Sequence, residues 1–461
     1  MDCATANHQG RRHASILRRR DHAAVHPIAR TRRRLYVPLH EEPARPVDCT
    51  ELLGVCGTTT RRSSMESAAT RRTLLKASLA GVGGAVMSAG VIPGARAASS
   101  GRHRPDWHRR IDEIVAAIEP EGVGVTVAVS KKGRTVFAKG YGLRDRGLPD
   151  RFTGEDFFKV EQLDEVLDLP RGRRRPAFDT VYNLGSISKG FTAAAVLLLH
   201  ERGKLSVHDR LGTFLPGYRR AADVTLLQLM HQVTGIPDYN DFPLFQPAYD
   251  AFVASGETDH SAVVTKLESL PLQFEPGSKY AYSNSNFLLL ALVVQKVARM
   301  PLGRFLQRHF FGPLRMRDTT QGYPARGSRD VALGYYAETD GVRRAYQWSL
   351  PWLTGAGGLT GSARDLAVWD AALSRPGLFR PETLRMMFTP ELDGYACGWV
   401  VQKHDGKPYI WHNGGMGGFR TMHALFPDQD ISVVLLSNDQ TTYPAIDRSA
   451  PKIFDAVREI W

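Results

Sequence analysis

Apolar residues recur at helical spacing over residues 106–118 (Trp107, Ile111, Ile114, Val115, Ile118), and the period then changes to that of a strand. Residues 122–130 are β-rich, Lys131-Lys132-Gly133 reads as a hairpin turn, and residues 134–141 read as the returning strand. Residues 142–176 break the pattern: they are charged and irregular, with Arg171-Gly172-Arg173-Arg174-Arg175, and read as a long surface insertion. Residues 178–184 lead into 191–199, a helix-forming apolar run with Gly203 as its C-cap. To about residue 352 the pattern is mostly helical with long connections, with helices over 224–232, 286–299 and 301–311. A helix over 363–373 follows a glycine-rich stretch. Alternation returns at 398–402 and 407–412 about a turn at Asp405-Gly406, and at 419–426 and 431–437 about Pro427-Asp428; a helix closes the chain over 444–461. Strands at both ends and helices between them predict an α/β plus α fold. Its antiparallel sheet, flanked by helices, is built from 98–190 and 355–461, with a helical domain, 191–354, inserted.

Composition changes this picture mainly at the N-terminus. The 461 residues are 43% hydrophobic, enough for one large or two ordinary domains and not the composition of a disordered or collagen-like chain. The formal charge of +13 suggests nucleic acid until its distribution is read. Residues 1–64 hold twelve Arg, no Lys and six acids, with no periodic apolar pattern; they read as a non-globular extension or as sequence upstream of the true start. Met65 opens a complete export signal over 65–97: Arg71-Arg72, an apolar run to Ile92, then Ala95-Arg96-Ala97. This is the layout of a twin-arginine signal peptide, too short in its apolar part for the roughly 20 residues of a membrane span. The mature protein is expected to be extracellular, cell-wall associated or periplasmic, touching membrane only through that signal. Residues 98–461 keep a net +4, which implies no nucleic-acid partner. They also keep one of the four cysteines, Cys397, so no disulfide framework or thiolate zinc site is expected within one chain. With no base adjacent in sequence, Cys397 reads as a packed residue.

Three stretches could carry chemistry. In Gly185-Ser186-Ile187-Ser188-Lys189 a glycine turn meets a helix start, and positions three apart share a helix face, so an amine can lie beside the Ser186 hydroxyl and activate it. The bland reading is an N-cap serine and a solvated lysine. In Tyr280-Ala281-Tyr282-Ser283-Asn284 a phenol and an amide two apart could both enter a cleft; the alternative is a buried tyrosine and a turn asparagine. In Trp411-His412-Asn413-Gly414-Gly415-Met416-Gly417-Gly418, His412 and Gly414 share a strand face, and the glycines let a ligand approach the backbone. A glycine-rich hairpin with a surface histidine is the competing reading.

Taken in order, Ser186-Ile187-Ser188-Lys189, Tyr282-Ser283-Asn284 and His412-Asn413-Gly414 resemble the motif set of the serine β-lactamase and penicillin-binding superfamily. The resemblance is to its class C-related branch, which includes class C β-lactamases, D-alanyl-D-alanine carboxypeptidases, D-aminopeptidases and family VIII esterases. Flanking stretches at 205–209, 229–239, 274–277, 312–319, 357–367 and 395–399 also match, and the resemblance covers about residues 123–438. It implies a β-lactamase/transpeptidase-like fold and an exported serine hydrolase that works through an acyl-enzyme on a small-molecule or peptide amide, ester or lactam. Ser186 would be the nucleophile, with Lys189 and Tyr282 sharing the base role. The backbone N–H groups of Ser186 and Gly415 would form the oxyanion hole, and Asn284, His412, Asn413 and Gly414 would bind substrate. No cofactor or metal is implied, and the chain has no H-E-x-x-H pattern. His412 stands where the branch's lactamases carry lysine, and Asn413 where a hydroxyl is usual. An imidazole and an amide are a weaker anion site than an ammonium and a hydroxyl. That counts against a class C-like β-lactamase, and within the branch a histidine at this position resembles D,D-peptidases and D-aminopeptidases, so the resemblance implies a D,D-carboxypeptidase, D-aminopeptidase or esterase; a non-hydrolytic penicillin- or peptidoglycan-binding protein is the alternative of another class.

Overall fold

Val125, Val127 and Val129 alternate with Thr126, Ala128 and Ser130, and both sets are buried. A strand buried on both faces belongs in the middle of a sheet covered by helices on each side. That is its place in the chain's computed structural model, which describes residues 106–118, 122–147, 174–241, 244–324, 330–338, 341–345 and 349–460. The 1–64 extension, the 65–97 export signal and residues 148–173 of the expected insertion lie outside the described residues.

The strands are β1 (Val125–Lys131), β2 (Arg134–Tyr141), β3 (Val181–Asn183), β4 (Thr320–Gln321), β5 (Tyr335–Glu338), β6 (Gly341–Arg344), β7 (Leu359–Ser362), β8 (Val400–His404), β9 (Lys407–Met416), β10 (Phe419–Phe426) and β11 (Ile431–Ser437). Six of them form one antiparallel sheet in the order β2-β1-β11-β10-β9-β8. Two of its hairpins turn on paired left-handed residues, Lys132 and Gly133 (φ 51° and 65°) and Asp405 and Gly406 (φ 50° and 76°). Such turns match the twist of the strands they join. Pairing of β1 with β11, in register Val127↔Leu435, brings the two ends of the described chain together.

Each face of the sheet has its own core. Helices α1 (Asp106–Ala116) and α5 (Ser449–Val457) bring Ile111, Val115, Ile453 and Phe454 against Val125, Val127 and Val129. On the other face, Leu366 and Trp369 of α4 (Ala363–Leu373) join Ala128, Val434 and Leu436. That second cluster continues through α2 (Ser188–Glu201) and α3 (Asn284–Ala298) into the helices between residues 191 and 354. Full burial of each such aliphatic side chain contributes about 1.5–3 kcal/mol. A polar bond crosses this face: His423 Nε2 of β10 lies 2.6 Å from Asp370 Oδ1 of α4, both groups almost fully buried.

Helix α2 runs through the interior, buried from Ser188 to Leu199. It ends at Gly203 (φ 64°), whose N–H donates to the His200 carbonyl while that of Lys204 donates to Leu199, both at 2.9 Å. These paired bonds satisfy carbonyls the helix end would leave orphaned. At its other end β9 lies against the turn before Ser186 with no room to spare. A Cβ on Gly414 would stand 2.2 Å from the Leu184 carbonyl oxygen, and one on Gly185 would stand 3.0 Å from Gly415 N.

The short strands β4 to β6 lie in the stretch read as mostly helical, and β7 in the glycine-rich stretch before α4, where no strand is expected. With two to four residues each, they are too short to show alternation. The last helix begins at Ser449 rather than residue 444, since residues 443–448 form turns. The helix expected from residue 286 begins at Asn284. Substitution of the two glycines should separate helix ending from site assembly. Gly203→Ala meets open space and should cost only its left-handed strain, about 1–2 kcal/mol in denaturant melts, without loss of activity. Gly414→Ala should cost stability and also displace β9 from the Ser186 turn, seen as loss of labelling of Ser186 by an activated acyl probe.

Candidate active site

Residues 181–199 are buried with one exception, Ser186, which is partly exposed. The reason is local. Asn183 Oδ1 accepts from Gly185 N at 2.9 Å, and Gly185 is left-handed at φ 53°, so the chain turns sharply as β3 ends. Residues 185–187 make one 3₁₀ turn, and α2 begins at Ser188. Ser186 therefore stands on the turn that feeds the helix, with Lys189 one turn further on.

Lys189 has no exposed surface. Its Nζ donates to Ser186 Oγ at 3.0 Å, Asn284 Oδ1 at 2.7 Å and the Ala356 carbonyl at 2.7 Å, and lies 4.7 Å from the Tyr282 ring centroid. Three acceptors match the three N–H bonds of an ammonium. Burial nevertheless pulls the amine down to about 7, against the opposing pull of the Asp238 carboxylate. The group is thus poised to gain or lose a proton near neutrality. Tyr282 reaches the same oxygen from the other side, its hydroxyl 2.7 Å from Ser186 Oγ. The loop that carries it is held by Ala281 N to the Gln232 carbonyl (3.0 Å) and Ser283 N to Gln232 Oε1 (3.1 Å). Asn284, at the start of α3, is used on both sides of its amide: Oδ1 accepts from Lys189, and Nδ2 donates to Asp238 Oδ2 at 2.9 Å.

The third motif lies on β9. Thr421, opposite Gly414 on β10, donates from Oγ1 to the Leu184 carbonyl at 3.0 Å and ties the hairpin to the Ser186 turn. The backbone of Gly415 lies beside Gly185, next to Ser186. His412 faces the site, its ring 6.3 Å from that of Tyr282.

Asn413 does not join them. Its Nδ2 donates to Asp447 Oδ2 at 2.7 Å, the carboxylate that Arg420 also grips. Alternation along the strand is the reason: with His412 and Gly414 toward the site, the residue between them faces away. The expectation that Asn413 binds substrate is corrected accordingly. Cys397 is corrected in part. It is fully buried, but a base does adjoin it: His231 Nε2 lies 3.5 Å from Sγ, with His231 Nδ1 2.8 Å from Glu391 Oε2. Burial pushes the thiol far up, so it remains a packed, protonated group. Sequence reasoning did not single out Asp238 or Tyr395, whose hydroxyl lies 3.0 Å from His412 Nε2. Both sit in the flanking stretches 229–239 and 395–399, but neither belongs to a motif.

Penicillin-binding protein 4* of Bacillus subtilis (strain 168) is 29% identical over 284 residues, 57% of this chain and 61% of that one. Protein flp of Staphylococcus aureus (strain MW2) is 25% identical over 73% of this chain and 64% of its own. The chain thus spans just under two thirds of these curated relatives. Among solved structures, D-amino acid amidase from Ochrobactrum anthropi SV3 superimposes with a TM-score of 0.64 at 18% identity, covering 77% of this chain and all of that one. The octameric penicillin-binding protein homologue from Pyrococcus abyssi gives 0.58 at 22% identity, over 77% of each chain. Those likenesses establish the fold. The Beta-lactamase family model matches residues 109–458, three quarters of the sequence and every stretch that builds the Ser186 site, and the chain belongs to that family.

Proposed function

We propose that this chain is a serine hydrolase that transfers an acyl group from an amide, ester or lactam first to Ser186 and then to water. The observation that carries this reading is the convergence of Lys189 Nζ (3.0 Å) and Tyr282 OH (2.7 Å) on Ser186 Oγ. Ser186 Oγ bonds to the substrate carbonyl carbon, and its proton passes to the Lys189–Tyr282 pair. The oxygen that gains charge is received by the backbone N–H groups of Ser186 and Gly415. As the carbon–leaving group bond breaks, Tyr282 returns the proton to the departing atom. Water then repeats the sequence on the acyl-enzyme and frees Ser186. Membership of the family and the amine's value of about 7 support the pairing. Each group held in place contributes by general acid–base catalysis, typically about 10²–10⁴-fold.

The Arg71-Arg72 signal supports export by the twin-arginine route, to a destination outside the cytoplasm.

Ser186→Ala should abolish acyl transfer and leave the melting curve unchanged. Lys189→Ala and Tyr282→Phe should each lower kcat/KM by about 10²–10⁴-fold. Time-resolved mass spectrometry with an activated ester checks this: a transient adduct on Ser186 is expected, and full activity in Tyr282→Phe would remove that residue from the mechanism. Because the base must be neutral, kcat/KM should fall about tenfold per pH unit below the Lys189 value of about 7. The Asp238 carboxylate raises that value, so Asp238→Asn should move the acid limb of the profile to lower pH. Replacing Arg71-Arg72 by two lysines should retain the protein in the cytoplasm, measured by cell fractionation.

A further inference from the structure

The wall of the site beyond Tyr282 is chemically closed. His412 there is 4% exposed. Its Nδ1 lies 2.6 Å from the Asn413 carbonyl oxygen, which can only accept, so Nδ1 carries a proton. Its Nε2 lies 3.0 Å from the Tyr395 hydroxyl. Whether the ring is neutral or charged, both nitrogens are spent within the protein. Burial, followed by the Lys189 charge, brings the ring down to about 3, and burial pushes the Tyr395 phenol well up. The ring is therefore neutral, and Tyr395 donates to it.

Among the described residues two cations adjoin this wall, and both are engaged. The Lys189 amine has its three acceptors. Arg420 holds Asp447 through Nε (3.0 Å) and Nη2, and its guanidinium lies 4.3 Å from the Tyr443 ring centroid. The amide of Asn413 is turned to the same Asp447. The departing group receives its proton from Tyr282 and so leaves on the side of the site that His412 walls, the two rings being 6.3 Å apart. A carboxylate there would give up water and, among the described residues, gain no cation that lacks a partner, which is costly. An uncharged group loses little.

We propose, resting on the acyl-transfer reading above, that Tyr395 occupies His412 so that the site selects amides and esters whose leaving group carries no carboxylate. The favoured leaving groups are alcohols, ammonia and neutral amines. Peptides ending in a free carboxylate and lactams bearing a ring carboxylate are the disfavoured class.

The test uses two phenyl esters with one acyl group, one leaving as 4-hydroxybenzamide and the other as 4-hydroxybenzoate. Each rate is divided by that ester's alkaline hydrolysis rate to remove intrinsic reactivity. The carboxamide ester should be preferred in kcat/KM by ~10-fold or more. Equal or faster turnover of the carboxylate ester overturns this inference and leaves the hydrolase intact, whereas turnover of neither overturns both. Tyr395→Phe frees Nε2 to take a proton, and His412→Lys supplies an ammonium. Each should shift the ratio toward the carboxylate by about 10-fold. The ratio is unaffected by mere loss of folded protein, and an unchanged ratio in either active variant overturns the role assigned to the pair.

Discussion

The structure depends on keeping one amine out of water. Lys189 is fully buried on α2, and its Nζ is satisfied by the Ser186 hydroxyl, the Asn284 amide and the Ala356 carbonyl. These three partners come from three separate stretches of the chain. A buried amine without partners would cost stability or give up its proton. The Ser186 turn, the start of α3 and the glycine-rich segment before β7 meet around it. The same burial brings the amine toward neutrality, which is what a base beside a serine needs.

Close approach of backbone to backbone is the second constraint. The Ser186 turn and β9 touch at Gly185, Gly414 and Gly415, where an added Cβ would overlap main-chain atoms or crowd Arg420. Thr421 fastens the pair from β10. The sheet built from both ends of the described chain thus serves as a platform that holds one strand against a turn made far away in sequence. The bond between His423 and Asp370 fixes α4 on the same platform.

The third constraint concerns charge. Among the described residues, the cations Lys189 and Arg420 beside the site are each tied to partners of their own, and His412 is closed by Tyr395 and its neighbour's carbonyl. In the proposed acyl transfer, such a site would stabilise charge that develops during reaction while offering little to charge already present on a substrate. That distinction sets transition-state recognition apart from simple anion binding.

Periodic features were legible in the sequence. The hairpins around Lys132-Gly133 and Asp405-Gly406 follow from alternation and turn residues, and the helix over 363–373 matches its apolar spacing to the residue. The spacing of Ser186 and Lys189 already placed an amine one helical turn from a hydroxyl, because that relation is local. Alternation on β9 even contained the answer for Asn413, whose neighbours claim the site-facing side. Tertiary structure alone decided what no period encodes: that Tyr395 would close His412, that Asp238 would stand behind Asn284, and that His231 would adjoin Cys397. Those contacts join residues 17, 46 and 166 positions apart. A sequence fixes such distances only through the packing of everything between them.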